Sequence, residues 1–224
     1  MDAGRFAPYH HLTKEQPDGG ATKLGRVIPP QEPSQWAAAL MQSRQTILPK
    51  RLAAPGPDAP QLQALLGAAA SAPDHGQLLP WRLVLIPQEA RHRLAEAFAQ
   101  ALLQRDAAAT ADQMAQAREK AFRAPLLMLV VVDGDRGDPA IDLHERLLSA
   151  GCAVQNILLM ATAQGFGSAL TSGKAMKSEP LRLLFGLSPQ DHAVCFISVG
   201  TVLSAKKARV RPVPADYVQS LDAT

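Results

Sequence analysis

A long helical pattern from Ala140 to Gln164 constrains the fold of this chain more than any other feature. Its middle, Ala150 to Ala163, is apolar on nearly every side, and Gly165 follows as a residue suited to the left-handed conformation that ends a helix. A helix that is apolar all round must be buried all round. In a chain of 224 residues, which suits one domain, we expect this helix to pack against its own core and against a second copy of the chain.

Helices and strands alternate along the rest of the chain. Asp58 is a suitable N-cap for a helix that stops before Pro73, because a proline disfavours helical geometry in the preceding residue. Further helices are predicted from Ser34 to about Met41, from Gln88 to Arg105, from Thr110 to Arg123 and from Ser178 to Phe185. Strands are predicted at Arg82 to Ile86, Leu126 to Val132 and Ala193 to Gly200, with a loop from Phe166 to Met176. Alternation alone favours an α/β layer arrangement.

Composition excludes several classes of protein. The net charge of +3 is too small and too scattered for a nucleic-acid binder, although a short basic cluster at 206–211 lies in the tail. Cys152 and Cys195 each lie in an apolar run and are interpreted as core residues in a reducing compartment. Residues 1–26 lack the apolar run of a signal peptide, and the other apolar runs are too short or interrupted for a membrane span. We therefore expect a cytoplasmic protein with no membrane association.

The chain lacks the motifs of enzymes whose side chains do the chemistry. It has no glycine-rich dinucleotide fingerprint, phosphate loop, nucleophile elbow or cluster of metal ligands, so no metal is expected. If the protein is an enzyme, a cofactor is expected to carry the difficult step while the protein positions it.

Four polar segments could surround such a cofactor. They are Ser43-Arg44-Gln45-Thr46 at a helix end, Ser71-Ala72-Pro73-Asp74-His75 after the second helix, Ala163-Gln164-Gly165-Phe166-Gly167 after the long helix, and Leu170-Thr171-Ser172-Gly173. A guanidinium at a helix end suits a phosphate, and glycines allow a flat ligand to approach the backbone. Each segment alone is equally consistent with an ordinary turn, cap or helix stop.

Together these segments resemble the nitroreductase family, in particular its minimal-size bacterial NAD(P)H nitroreductases. The matching stretches are Ala72-Pro73-Asp74-His75, Pro80-Trp81, Phe122-Arg123-Ala124-Pro125-Leu126, Ser149-Ala150-Gly151-Cys152-Ala153-Val154, Ala163-Gln164-Gly165-Phe166-Gly167, Ser172-Gly173 and Gly200-Thr201. They follow the family's order and spacing from about Ser34 to Gly200.

The resemblance implies an α+β sandwich with a mostly antiparallel sheet, helices on both faces and the long helix at the centre of a homodimer. This replaces the α/β expectation. The implied organisation is an irregular N-terminal arm (residues 1–33), an FMN-binding domain (34–202) and a C-terminal tail (203–224) that can reach the partner subunit. Two FMN molecules would lie at the interface, each touching both chains.

The resemblance also assigns residues to the site. Arg44, Gln45 and Thr46 match a motif near the FMN phosphate and ribityl chain, Ser71 and His75 match FMN contacts after the second helix, and Leu170, Thr171 and Ser172 match the stretch on the other side. Met160, Ala161, Thr162, Ala163, Gln164 and Gly165 match a segment associated with NAD(P)H binding. No side chain is assigned as a proton-transferring catalyst; His75 is the nearest candidate, and a binding role suits it better.

Three positions depart from the family pattern. Gln45, Ser71 and Thr171 stand where relatives carry arginines, so fixed positive charge is missing near the expected phosphate. Lys206, Arg209 or Arg211 of the tail could replace it, since relatives often place a C-terminal basic residue there.

Two functions remain open from the sequence. The first is an FMN-dependent oxidoreductase that takes hydride from NADH or NADPH and reduces nitroaromatic, quinone or similar conjugated acceptors by ping-pong kinetics. The alternative is a flavin-binding or apo protein of the same fold with weak or no catalysis.

Overall fold

A computed structural model describes residues 32–204 and 209–221. The predicted arm lies outside the described residues except for its last two, which begin the first helix. Lys206 of the tail also lies outside them.

Six α-helices and five strands form the described part of the chain. The helices are α1 (Glu32–Ser43), α2 (Ala59–Ala69), α3 (Arg91–Arg105), α4 (Ala111–Glu119), α5 (Leu143–Ala163) and α6 (Glu179–Phe185). The strands are β1 (Leu52–Ala53), β2 (Trp81–Leu85), β3 (Leu126–Asp133), β4 (Gly167–Thr171) and β5 (Asp191–Val202). Short 3-10 helices occur at Pro49–Arg51, His75–Gln77, Gln88–Ala90, Lys120–Phe122, Lys174–Lys177 and Pro214–Asp216.

All strand pairs of the sheet are antiparallel. The order is β1-β5-β3-β2, and β4 also pairs with β5, which makes β5 the central strand. The register places Met128 beside Ile197 and Leu83 beside Val130. The antiparallel sheet expected from the family resemblance is confirmed, and the α/β layering suggested by alternation alone is wrong. Alternation cannot distinguish the two, because these helices connect strands that return antiparallel.

Alternate residues of β3 face two separate cores. Met128 and Val130 pack with α2 and α5 on one face of the sheet, whereas Leu127, Leu129 and Val131 pack with α3 and α6 on the other. This period-two division of a strand that is apolar throughout is what a sheet buried on both faces requires. The predicted sandwich with helices on both faces is therefore present.

Helix α5 runs through the first of these cores. Asp142 caps its N-terminus by accepting hydrogen bonds from the amides of His144 and Glu145. Gly165, at φ 82°, ends the helix in the left-handed conformation that the sequence predicts. By length and hydropathy alone α5 could cross a membrane, contrary to the expectation that no apolar run reaches that length. Nearly half of its most apolar window is buried inside the protein.

The segment predicted as a loop from Phe166 to Met176 contains strand β4, so that prediction is wrong. Its glycines and hydroxyls are typical of a turn, but Ser168 and Ala169 are buried by pairing with β5. A Cβ added at Gly167 would lie 2.6 Å from Val202 and 2.8 Å from Leu52. Gly167 is therefore present because the backbone packs closely there, which local propensity does not reveal.

Helix boundaries differ from the prediction at three N-termini. Helix α3 begins at Arg91 rather than Gln88, because residues 88–90 form a 3-10 helix. Helix α1 begins at Glu32 rather than Ser34, since Pro33 is tolerated in a first turn. Helix α5 begins at Leu143 rather than Ala140, because the side chain of Asp142 forms the cap. The capping box of Asp58 and Gln61 at α2 and the left-handed Gly186 after α6 agree with the sequence.

Candidate functional site

The segment after α1 is joined to β4. Thr46 bridges to Ser168 in parallel, and the amide of Ile47 donates a hydrogen bond of 2.9 Å to the carbonyl oxygen of Ser168. Two of the predicted FMN segments, 44–46 and 170–172, therefore lie along the same edge of the sheet. Sequence alone could not give this neighbourhood, because more than 120 residues separate them.

Three arginines gather at the end of α1. The Nη2 of Arg211 donates to the carbonyl oxygens of Arg44 (2.7 Å) and Gln42 (3.2 Å). Burial, together with the charges of Arg211 and Arg209, lowers the pKa of Arg44. Within the described residues none of these three arginines forms an ion pair with a carboxylate. Like charges held together without a counter-ion make a site suited to an anion such as a phosphate.

Leu170, Thr171 and Ser172 lie at the end of β4. Leu170 and Thr171 pair with Ile197 and Phe196 of β5, and Leu170 is exposed while Thr171 is half-buried. Ser172 follows the strand and is exposed. This end of the strand therefore presents side chains and backbone to a ligand at the sheet edge.

The loop that contains Ser71 and His75 is held by the N-terminal half of α5. The Nδ1 of His75 lies 2.6 Å from Glu145 Oε2, and Asp74 accepts hydrogen bonds from the amide of Leu79 (2.6 Å) and the hydroxyl of Ser149 (3.3 Å). Asp74 precedes the 3-10 helix at His75–Gln77 but makes no side-chain capping bond to it; its carboxylate instead ties the loop to Leu79 and Ser149. Ser71 and His75 are both exposed.

Backbone strain marks the same loop. Gln77 and Leu79 are non-glycine residues with φ of 52° and 47°. Such conformations cost about 1–3 kcal/mol each and concentrate at ligand sites and switches. Asp74 and Ser149 hold this loop in place, with Trp81 Nε1 donating to the Ser149 hydroxyl at 3.1 Å.

The predicted FMN residues form two groups within one chain. His75 contacts Glu145 in the first turn of α5, whereas Arg44 and Thr171 belong to the region beyond its C-terminal end. From Glu145 to Met160 the helix rises about 22 Å, at 1.5 Å per residue. The two groups are therefore attached near opposite ends of α5.

The predicted NAD(P)H segment forms the last turn of α5. Its residues differ in access: Ala161 is fully buried in the core, Met160, Thr162 and Gln164 are half-buried, and Ala163 and Gly165 are exposed. Gln164 Nε2 donates to the carbonyl oxygen of Gln61 (3.2 Å), while its Oε1 is buried without a partner. Only the exposed side of this turn is open to a ligand.

A cavity of about 630 Å³ opens beside Thr171 and Ser172. It lies among the ends of α3 and β4, helix α4 and the 3-10 helix that follows α4. The segment predicted as a helix at 110–123 supplies part of this lining, but sequence reasoning did not single out Lys50, Arg105 or Lys120, which also line the cavity. Their signal in the sequence is weak, because isolated basic residues on helices are usually solvated.

A family model decides the classification. The model of the nitroreductase family matches residues 42–201, which include both segments at the sheet edge. The chain belongs to the nitroreductase family. Family membership places it among the oxidoreductases, and the resemblance stated from the sequence is confirmed.

Individual relatives agree with the family. A protein of Escherichia coli K12 assigned the name NAD(P)H nitroreductase is 39% identical over 171 residues, covering 75% of this chain and 91% of the relative. Among solved structures, a nitroreductase-like protein from Bacillus cereus has a TM-score of 0.69 at 19% identity, covering 83% of this chain and 96% of that one. A nitroreductase with bound FMN from Desulfitobacterium hafniense has a TM-score of 0.58 at 20% identity, covering 83% and 97%. These two structures support the fold.

Proposed function

We propose that this protein is an FMN-dependent NAD(P)H oxidoreductase that reduces nitroaromatic, quinone or similar conjugated acceptors by ping-pong kinetics. The observation that carries the proposal is the group of Arg44, Arg209 and Arg211 beside the sheet edge. The names of the E. coli relative and of the D. hafniense structure support NAD(P)H and FMN as its two cofactors.

The arginine group suits the phosphate of FMN. Gln45 and Thr171 lack the charge that relatives place nearby, and the tail supplies Arg209 and Arg211 instead. A hydrogen bond to a charged group contributes about 1.5–3 kcal/mol, so the tail arginines can offset the missing ones. This favours the active oxidoreductase over the alternative of a fold with weak flavin binding.

The separation of the two groups of FMN residues favours a homodimer. Arg44 and Thr171 of one chain would meet Ser71 and His75 of its partner if two α5 helices paired antiparallel. The free face of α5 suits that pairing: Leu148 is 70% exposed, and a Cβ at Gly151 would meet nothing within 4 Å. Gly151, which follows the exposed Leu148 by three residues on the same face, allows a second helix to approach closely.

Helix α1 adds a second apolar surface beside α5. None of its residues is buried, and Trp36 and Met41 are 60% and 53% exposed. Trp36, Leu40 and Met41 are spaced to lie on one face of this helix, and Leu40 is half-buried while the other two remain exposed in the single chain. We propose that the partner subunit covers this apolar face of α1.

When bound, FMN would supply hydride transfer between NAD(P)H and the acceptor. The chain's residues hold and orient the reactants. Arg44 and the tail arginines bind the phosphate, Thr171 and Ser172 offer hydroxyls and backbone donors beside the cavity, and the exposed side of the turn at Met160–Gly165 contacts the nicotinamide donor. His75, held by Glu145, is a binding residue, and no side chain is assigned as a proton-transferring catalyst.

The proposed setting is the cytoplasm, with a small-molecule oxidant, no nucleic acid and no membrane. The test is steady-state kinetics on protein reconstituted with FMN, varying NAD(P)H and a nitroaromatic. Parallel double-reciprocal lines and flavin absorbance support the proposal. Protein that takes up no FMN and oxidises no NAD(P)H contradicts it.

A further inference from the structure

The loop at residues 74–80, called the His75 loop below, has an unfavourable backbone conformation. It leads from α2 into β2 and carries His75, one of the residues proposed to contact FMN. Gln77 and Leu79 have positive φ although neither is a glycine. Such conformations persist only where the surrounding contacts over-determine them. The contacts that hold this loop therefore decide whether His75 is in place when a ligand arrives.

A chain of hydrogen bonds ties the loop to α5. Trp81 Nε1 donates to the hydroxyl of Ser149 at 3.1 Å, and this hydroxyl donates to Asp74 Oδ1 at 3.3 Å. The other carboxylate oxygen, Oδ2, accepts the amide of Leu79 at 2.6 Å. A serine hydroxyl has one hydrogen, so accepting from Trp81 leaves that hydrogen for Asp74. Ser149 is buried, and through Asp74 it fixes the backbone at the strained Leu79.

The other side of the loop has separate support. A Cβ added at Gly137 would lie 2.5 Å from Cδ2 of Leu78, so the loop packs closely on the segment 133–141. The buried Arg146 holds that segment by donating to backbone carbonyl oxygens within it. This contact does not involve the hydroxyl of Ser149. Removing that hydroxyl should therefore loosen one side of the loop and leave the fold intact.

We propose that Ser149 is a positioning residue for FMN. Through Asp74, its hydroxyl keeps the His75 loop in the strained conformation before the cofactor binds, so that His75 is already presented to the flavin. A loop that is ordered in advance does not lose that conformational freedom on binding, which raises the affinity. Resting on the proposed function, this role is to hold a cofactor contact rather than to make one.

The first test is FMN titration of four variants. Ser149→Ala and Asp74→Ala should each raise the Kd about tenfold, the size expected for one lost hydrogen bond to a charged group. The double variant should raise it no further, because both changes break the same link. Asp74→Asn keeps one acceptor oxygen and should lose less than Asp74→Ala. Circular dichroism checks each fold, and Asp74→Asn tests the same link if Ser149→Ala does not fold.

Hydrogen exchange of the flavin-free protein gives a readout that needs neither cofactor nor turnover. The amide of Leu79 lies in an exposed position and has the Asp74 carboxylate as its acceptor. Ser149→Ala and Asp74→Ala should both speed exchange in the peptide that spans the His75 loop. Exchange elsewhere in α5 should stay as in wild type, because the helix keeps its own hydrogen bonds.

Asp191→Asn is the matched control. Asp191 also ties a loop to a strand with its carboxylate, since it accepts from the amide of Ser188 at 2.9 Å and from Arg82 Nη1 at 2.7 Å. It has no proposed contact with FMN and no hydrogen bond to the His75 loop. This variant should lower stability, yet leave the Kd for FMN and the exchange of the His75 loop unchanged.

Three outcomes overturn the inference. One is an unchanged Kd for FMN in Ser149→Ala, or in Asp74→Asn if that variant stands in for it, even where the loop exchanges faster, because the link would then be structural only. Another is a loss in Asp74→Ala without a loss in Ser149→Ala, which would mean that Asp74 contacts the flavin directly. The third is additive losses in the double variant. All three leave the proposed function standing, whereas wild-type protein that takes up no FMN contradicts the proposed function itself.

Discussion

The guanidinium of Arg211 donates a hydrogen bond of 2.7 Å to the backbone carbonyl oxygen of Arg44. This contact joins the C-terminal tail to the end of α1 across 167 positions of sequence. It holds a second positive charge beside Arg44, with Arg209 as a third. The tail thus places its positive charges beside that of Arg44, and no carboxylate of the described residues pairs with these arginines. An anion bound at that place best explains the arrangement.

Arg44→Ala and Arg211→Ala should each weaken FMN binding about ten- to a hundredfold, from 1.5–3 kcal/mol per charged hydrogen bond. Flavin titration followed by absorbance measures the Kd, and circular dichroism checks that the fold is intact. Arg93→Ala is the control, since Arg93 is an exposed residue of α3 with no proposed contact to the phosphate. Unchanged affinity in both variants would show that the phosphate lies elsewhere.

Leu148→Glu should convert the dimer to a monomer and release FMN, because it puts a charge in place of the exposed leucine at the proposed contact along α5. Analytical ultracentrifugation gives the mass, and the spectrum of the same sample gives the flavin content. Leu103→Glu changes a partly exposed leucine on α3 and should affect neither. A Leu148→Glu protein that remains a dimer and keeps its flavin would refute the proposed dimer interface along α5.

Removal of residues 1–31 should leave the flavin spectrum unaltered, since the proposed phosphate and ring contacts all lie between Arg44 and Arg211. The spectrum of the truncated protein after reconstitution with FMN is the measurement. Loss of flavin on truncation would assign the arm to the site.

Arg91→Met should destabilise the fold by about 3 kcal/mol or more. Arg91 is buried and donates to the carbonyl oxygens of Ile86, Ala121, Ala124 and Pro125, which tie the start of α3 to the entry of β3. Leaving buried carbonyls without a donor costs about 1–3 kcal/mol each. Urea unfolding measures the change, and Arg93→Met, at an exposed neighbour, should stay within about 0.5 kcal/mol of wild type. An equally small effect of Arg91→Met would contradict a stabilising role for the buried hydrogen bonds of Arg91.

Cys195 should make stability fall at high pH. Burial raises the pKa of its thiol to about 11 from a reference value of 9.0. Because the folded pKa lies above the unfolded one, the contribution is fully present below pH 9.0 and is lost as pH rises through about 11. Urea unfolding between pH 8 and pH 11 should show a smaller decline for Cys195→Ala than for wild type. Equal declines would mean that the thiol is not shielded from water.

The fold could be read from the sequence where local signals agree with tertiary contacts. The Asp58 cap, Gly165 and Gly186 end or begin helices by local chemistry, and the structure places them as expected. Strand β4 could not be predicted, because Ser168 and Ala169 become strand residues only by pairing with β5. Cys195 is buried as expected, whereas Cys152 is only half-buried on the outer side of α5.

The sequence proposes residues for the candidate site but not their arrangement. The family resemblance proposes Arg44, Thr171 and His75, yet their distribution about the two ends of α5 depends on the fold. The basic lining at Lys120 and Lys174 is assembled from segments that carry no motif. Lys120 and Lys174 line the same cavity only once α4 is packed beside the sheet.

The central claim is that two chains paired along α5 hold flavin between them. The most direct measurement is the mass and visible spectrum of the purified protein after incubation with FMN and removal of free flavin. The account predicts a dimer that carries one flavin per chain. A colourless monomer that stays colourless with excess FMN would contradict it.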